Sequence, residues 1–208
     1  MSVVDFGGLA IAYDDQVLEP RDWTLQQSLW GVELLDVVPE GPVLELCSGA
    51  GQIGLSLAVR SARRLVCVDA SAAAASYTAH NAAAAGLTDR VEIRLEQLSD
   101  GLGEDERFPL ILADPPWVRR DQTHRFPDDP VSAIDGGHDG LDLARECVLV
   151  IGRHLCAAGA ALLQVGSTDQ VAALAPDLER AGLEVVETRV FGERGVLAHL
   201  SPRALQGA

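Results

Sequence analysis

Five short apolar runs, separated by stretches of helical character, constrain this chain more than any other feature. "PVLELC" (42–47), "RLVCVDA" (64–70), "RVEIRL" (90–95), "FPLILAD" (108–114) and "AALLQVG" (160–166) each read as a strand. Most are apolar on consecutive residues, so both faces of the strand must be covered. Only "RVEIRL" alternates, with Val91, Ile93 and Leu95 on one face. The stretches between them supply the cover: "GQIGLSLAVR", the alanine-rich "SAAAASYTAHNAAAAGL" and "DGLDLARECVLVIGRHL". The alanine-rich stretch is a strong helix former that stops at Gly86, not a disordered tract. Buried strands alternating with helices make an α/β chain with a mostly parallel sheet covered on both faces. A further helix is expected up to Gly182. "LEVVETRV" and "GVLAHLS" follow so closely on each other that an antiparallel hairpin is expected. With 208 residues the chain fits a single domain, 1–208, and residues 1–40 are expected to cap the site. A helix carrying Trp23 and Trp30 in that segment would lie against the site's open edge.

In such a sheet, ligands bind at the carboxyl ends of the strands, where strand order reverses. "ELCSGAG", Glu45 to Gly51, is the turn after the first of these strands. Glycines there let backbone N–H groups approach a ligand. Asp69 ends the second strand, about 20 residues further on, the spacing of a carboxylate that accepts both ribose hydroxyls. Together they point to an adenosine-containing cofactor. From Gly49 to Gly54 the turn also matches a dinucleotide pattern, so a nicotinamide oxidoreductase stays open at this point.

The fourth strand ends in "ADPPW". Proline cannot donate to a ladder, so the strand must stop there. Asp114 can accept an N–H. The carbonyl of Pro115 is free for a second, because Pro116 offers no N–H. Trp117 presents a flat face for stacking. Two acceptors and a ring describe a clamp for a planar NH2 group. The following "VRRDQTHRFPDDP" reads as a substrate loop, since specificity resides in the loops over a site. His124 within it reads as a bystander.

These motifs are similar to those of the class I S-adenosylmethionine-dependent methyltransferases. Within them the chain resembles the small-methyltransferase group, and there the HemK/PrmC-like release-factor glutamine methyltransferases. The resemblance runs from "VLEPRDWT" through "ELCSGAG", "CVDAS", "DPPW" and "GGHDGLDLARE" to "FGERGVL". It implies a Rossmann-like fold with sheet order 3-2-1-4-5-7-6, strand seven antiparallel, and S-adenosylmethionine as cofactor. It further implies that Glu45 and the Cys47–Gly49–Gly51 turn hold the methionine portion and Asp69 the ribose. Gln97 and the backbone at Leu98 would hold the adenine, with Thr24 closing over the cofactor and Asp114 bordering it. Asp114, Pro115 and Trp117 would carry the transfer.

Three positions depart from the family. Cys47 stands where glycine is usual, Gln97 where an aspartate is usual, and the clamp reads DPPW where the glutamine enzymes have NPPY. The DPPW form is similar to that of enzymes acting on the exocyclic amine of adenine. The acceptor is therefore a planar nitrogen, either a protein glutamine or a small-molecule amine or amide, with adenine in RNA or DNA as the alternative. A non-catalytic subunit is a further alternative, which an intact clamp argues against. The formal charge of −15, from 31 acidic and 16 basic residues, argues against nucleic acid, whose binding rests on Lys and Arg. No metal site is expected: the four cysteines form no CxxC pair. The N-terminus lacks the basic start and apolar core of a signal peptide, and no apolar run would cross a bilayer. A cytoplasmic protein is expected. Oligomeric state, and the need for a small activating partner such as some short relatives have, stay open.

Overall fold

A hairpin that the sequence did not announce starts the chain: β1 (Ser2–Phe6) pairs antiparallel with β2 (Leu9–Tyr13). The computed structural model describes residues 1–204 of the 208. Trp23 lies in a 3-10 turn, Asp22–Thr24, and only Trp30 is in the helix that follows, α1 (Leu25–Leu34).

The apolar runs then pair as expected. β3 (Val43–Leu46), β4 (Leu65–Asp69), β5 (Val91–Leu95), β6 (Phe108–Ala113), β7 (Leu155–Val165), β8 (Leu183–Val190) and β9 (Val196–Pro202) form one sheet. Its order is β5-β4-β3-β6-β7-β9-β8, which is the 3-2-1-4-5-7-6 order of the resemblance. β3 is parallel to β4 and β6, while β9 runs antiparallel to both β7 and β8.

Every residue of β3 and β6 is buried, which is why their runs are apolar without alternation. On one face Leu44, Leu46 and Ile111 pack with Cys147, Val148 and Ile151 of α5 (Asp142–His154). On the other, Val43, Leu110 and Leu112 pack with Trp30 and with Leu55 and Leu57 of α2 (Gln52–Val59). The helix expected up to Gly182 is broken into α6 (Thr168–Ala173) and α7 (Ala175–Arg180). Pro176 explains the break: its ring would clash with a carbonyl one turn back and it donates no hydrogen bond.

The alanine-rich helix, α3 (Ala72–Ala84), anchors the N-terminal hairpin through Asn81. Asn81 accepts the N–H of Ala12 at 2.8 Å and donates to the carbonyls of Ala12 and Ala50, at 3.0 and 2.9 Å. Ala50 belongs to the glycine turn, so hairpin and turn are tied to one buried amide. The segment after Trp117 holds a 3-10 helix, Arg120–Arg125, and a single turn, α4 (Val131–Ile134). Its root is stapled shut: the N–H of Val118 donates to Ile134, that of Gly136 to Val118, and that of Arg120 to Gly137, at 2.8–2.9 Å. Among the described residues no helix is long and apolar enough to cross a membrane.

Candidate active site

The crossover direction reverses between β3 and β6, and their carboxyl ends open onto one rim. Glu45, Cys47, Gly49, Gly51, Asp69 and Asp114 all stand at that rim. The turn after β3 is built from left-handed residues at alternate positions: Cys47 (φ 59°), Gly49 (φ 54°) and Gly51 (φ 79°). Among the described residues Cys47 is the only non-glycine residue with positive φ. Its Sγ lies 4.0 Å from Sγ of Cys147. Burial and that thiol push the Cys47 thiol up well above its usual range, with the Cys147 contact the larger cause.

Asp69 is engaged with this turn. Its Oδ2 accepts the N–H of Gly49 and its Oδ1 the N–H of Ser71, each at 2.9 Å. Burial nevertheless holds its carboxyl above the usual value, against those two hydrogen bonds. A side chain at Gly49 would meet nothing within 4 Å, so the turn faces open space.

Glu45 points elsewhere. Its Oε1 accepts the N–H of Gly54 at 2.9 Å and its Oε2 the thiol of Cys67 at 3.4 Å, so it braces α2 against β3. Burial pushes its carboxyl up to about 7, and the charges of Asp114 and Asp69 add to the rise. Asp114 follows β6 directly, and burial pushes its carboxyl up to about 7, opposed by a hydrogen bond from Gln164.

Asp69 and Asp114 thus stand at the rim with Glu45 turned inward behind them, close enough for their charges to raise its carboxyl, and none of the three has an ion-pair partner among the described residues. The alternative of a dinucleotide fits poorly. Its pyrophosphate would enter among these acids, and the Gly49 N–H is already engaged. A cationic ligand relieves the same repulsion. The sulfonium and ammonium of S-adenosylmethionine would fit it, and the Asp69 carboxylate has lone pairs left to accept a hydroxyl. Ser48 Oγ in the turn and Gln164 Oε1 beside Asp114 are buried and without a hydrogen-bond partner.

Thr24 is buried, and its hydroxyl donates to the Arg21 carbonyl at 2.9 Å. Gln97 is exposed just past β5, and its carbonyl accepts the N–H groups of Asp100 and Gly101. Leu98 is buried in the core with Val68. Trp117 is half-buried, with its ring against Gly166 at the end of β7: a Cβ there would come within 2.5 Å of the ring.

Three glutamines matter here that sequence reasoning passed over. Gln164 sits beside Asp114. Gln27, wholly buried in α1, donates to the carbonyls of Ala113 and Leu162 at 3.1 and 3.0 Å and so ties the end of β6, next to the clamp, to β7. Gln170 in α6 contacts the clamp backbone. Only Gln164 carried a signal, as the one polar residue within an otherwise apolar run.

Residues 29–172 match the methyltransferase small domain. The release factor glutamine methyltransferase of Clostridium acetobutylicum is 30% identical over 192 residues, 89% of this chain and 67% of that protein. The ribosomal protein uL3 glutamine methyltransferase of Francisella tularensis is 30% identical over 78% of this chain and 54% of that protein. The chain therefore spans about half to two thirds of the length of these relatives. Among solved structures, the ribosomal protein L11 methylase of Lactobacillus delbrueckii subsp. bulgaricus shares the fold at a TM-score of 0.69 and 16% identity, covering 98% of this chain and 100% of that one. The catalytic domain of hMettl16, in complex with a MAT2A 3'UTR hairpin, does so at 0.73 and 16%, covering 96% and 76%. The acid-lined rim, the glycine turn and these likenesses lead to one conclusion: the chain belongs to the methyltransferase small domain family, methyltransferases of class I fold whose cofactor is S-adenosylmethionine.

Proposed function

We propose that this protein methylates the side-chain amide nitrogen of a glutamine in another protein, held by Asp114, Pro115 and Trp117. The observation that carries the reading is the position of Asp114. It is the first residue beyond β6, it is half-buried, its charge reaches Glu45, and Pro115 and Pro116 follow it. The names of the relatives, which act on a release factor and on ribosomal protein uL3, support a protein glutamine as acceptor.

Bound S-adenosylmethionine supplies a methyl group already activated on a sulfonium. The Asp114 carboxylate and the Pro115 carbonyl accept the two N–H bonds of the acceptor's planar NH2 group. That turns the nitrogen lone pair toward the methyl carbon, and Trp117 covers the plane of the group. Transfer would break the S–C bond, leave the cofactor as a neutral thioether and place the positive charge on the acceptor nitrogen, where the Asp114 carboxylate would stabilise it. A carboxyl raised to about 7 by burial is also matched in strength to take up the proton that nitrogen then releases. Residues 1–40 would cap this site, with Thr24 helping to hold the cofactor and Gln97 and Leu98 its adenine.

The test is transfer of label from methyl-labelled S-adenosylmethionine in an extract of the host cell, separated into protein, nucleic-acid and small-molecule fractions. Label on a protein glutamine, lost with Asp114→Ala, supports the proposal. Label in RNA or DNA would replace it with an adenine methyltransferase, and label in small molecules with a metabolite-modifying enzyme.

A further inference from the structure

Trp117 ends the clamp and begins the stapled loop, yet it lies outside any strand. Something must fix it. Its carbonyl accepts Nε2 of Gln170 at 3.0 Å, across 53 residues of sequence. The same Nε2 lies 3.4 Å from the Gly140 carbonyl and 3.5 Å from that of Asp139, in the turn before α5. The other end of this amide, Oε1, accepts the N–H of Gly166 at 2.7 Å, directly after β7. One side chain therefore joins the clamp, the turn before α5 and the end of β7.

The join leaves no slack. A Cβ at Gly140 would come within 2.5 Å of the Trp117 carbonyl oxygen and 2.6 Å of Gln170 Nε2. A Cβ at Gly166 would come within 2.5 Å of the Trp117 ring and 2.9 Å of Gln170 Oε1. Two glycines give way so that one amide can reach three backbone segments. Gln170 is itself fixed, because its own N–H donates at 3.2 Å to the hydroxyl of Ser167, the N-cap of α6. Only a side chain with a donor at one oxygen-facing end and an acceptor at the other meets both demands. A carboxylate of the same shape would keep the Gly166 bond but set a second oxygen against three carbonyls.

We infer that Gln170 is a positioning residue for the acceptor clamp, setting the Trp117 ring and the root of the loop that follows it relative to the end of β7. The inference rests on the reading of Asp114–Trp117 as the acceptor site. Gln170 acts through Trp117, whose carbonyl it holds.

The experiment uses the full chain labelled with 5-fluorotryptophan, with the Trp117 fluorine resonance assigned from a Trp117→Phe variant. Gln170→Glu and Gln170→Met are compared with the parent by fluorine NMR, by calorimetric binding of S-adenosylmethionine, and by the rate of label transfer into the protein fraction of host extract. The expected result is a shifted and broadened Trp117 resonance with those of Trp23 and Trp30 unmoved, cofactor affinity held within about twofold, and transfer slowed by about 10- to 100-fold, the scale of a small misplacement of reacting groups. An unmoved Trp117 resonance overturns the inference. So does a transfer rate that holds while the resonance moves, or one that falls only in parallel with cofactor affinity. Failure of the underlying acceptor-site reading looks different: Asp114→Ala and Trp117→Phe would then both keep the parent rate.

Discussion

Asp69 Oδ2 accepts the backbone N–H of Gly49 at 2.9 Å, so the carboxylate that ends β4 holds the turn that follows β3. The pair joins two neighbouring parallel strands at the rim, and Asp69 has lone pairs left for hydroxyl donors.

Asp69→Ala removes this bond and the one to Ser71 together. Cofactor affinity is expected to fall by at least about tenfold, because a charge-assisted hydrogen bond contributes roughly 1.5–3 kcal/mol. Isothermal calorimetry with S-adenosylmethionine measures it. Unchanged affinity would remove Asp69 from the cofactor site.

Asp114→Ala is expected to lower turnover by about 100-fold or more while cofactor affinity changes by less than about threefold. Asp114→Asn keeps an acceptor oxygen but loses the charge, so its loss should be smaller. In the free parent enzyme the carboxylate form gains population as pH rises through about 7, so kcat/KM for S-adenosylmethionine should rise across that range. That rise should vanish in Asp114→Asn. A pH profile of both proteins decides it.

Stability should run the other way with pH. Burial raises the Glu45 and Asp114 carboxyls to about 7 in the folded protein, above their unfolded values. Between the ordinary carboxylate range and pH 7 the folded state then binds more protons than the unfolded, so stability falls as pH rises through this window. The melting temperature without ligand should be higher at pH 6 than at pH 8. Glu45→Gln combined with Asp114→Asn should flatten that difference. Binding of a cationic cofactor should lower both values and release protons near neutral pH. Calorimetry in buffers of different ionisation enthalpy reads that release.

Cys47 tests the turn itself. A residue other than glycine held at φ 59° costs about 1–2 kcal/mol. Cys47→Ala keeps that strain and loses the contact with Cys147, whereas Cys47→Gly relieves it. The glycine variant should therefore be the more stable of the two by about 1 kcal/mol, the reverse of the usual order in a helix. Denaturant titration of the pair measures the difference.

Much of the sheet was legible in the sequence, because a strand covered on both faces must be apolar along consecutive residues. "VLEL", "LVCVD" and "FPLILA" declare that locally, and Asp69 and Asp114 at the ends of the last two mark the rim. The strand order came from family resemblance, since no local pattern says which buried strand lies beside which. What tertiary structure alone decided are the partners of polar groups. Asn81 meets Ala12 across 69 residues, Gln27 meets Ala113 across 86, and Gln170 meets Trp117 across 53. The N-terminal hairpin depends on the first of these contacts. The turning of Glu45 inward to Gly54 depends on α2 folding back over β3. Periodicity reports which face of an element is buried, a property of neighbouring residues. The choice of hydrogen-bond partner depends on where the chain returns, and that is set by the packing of the whole sheet.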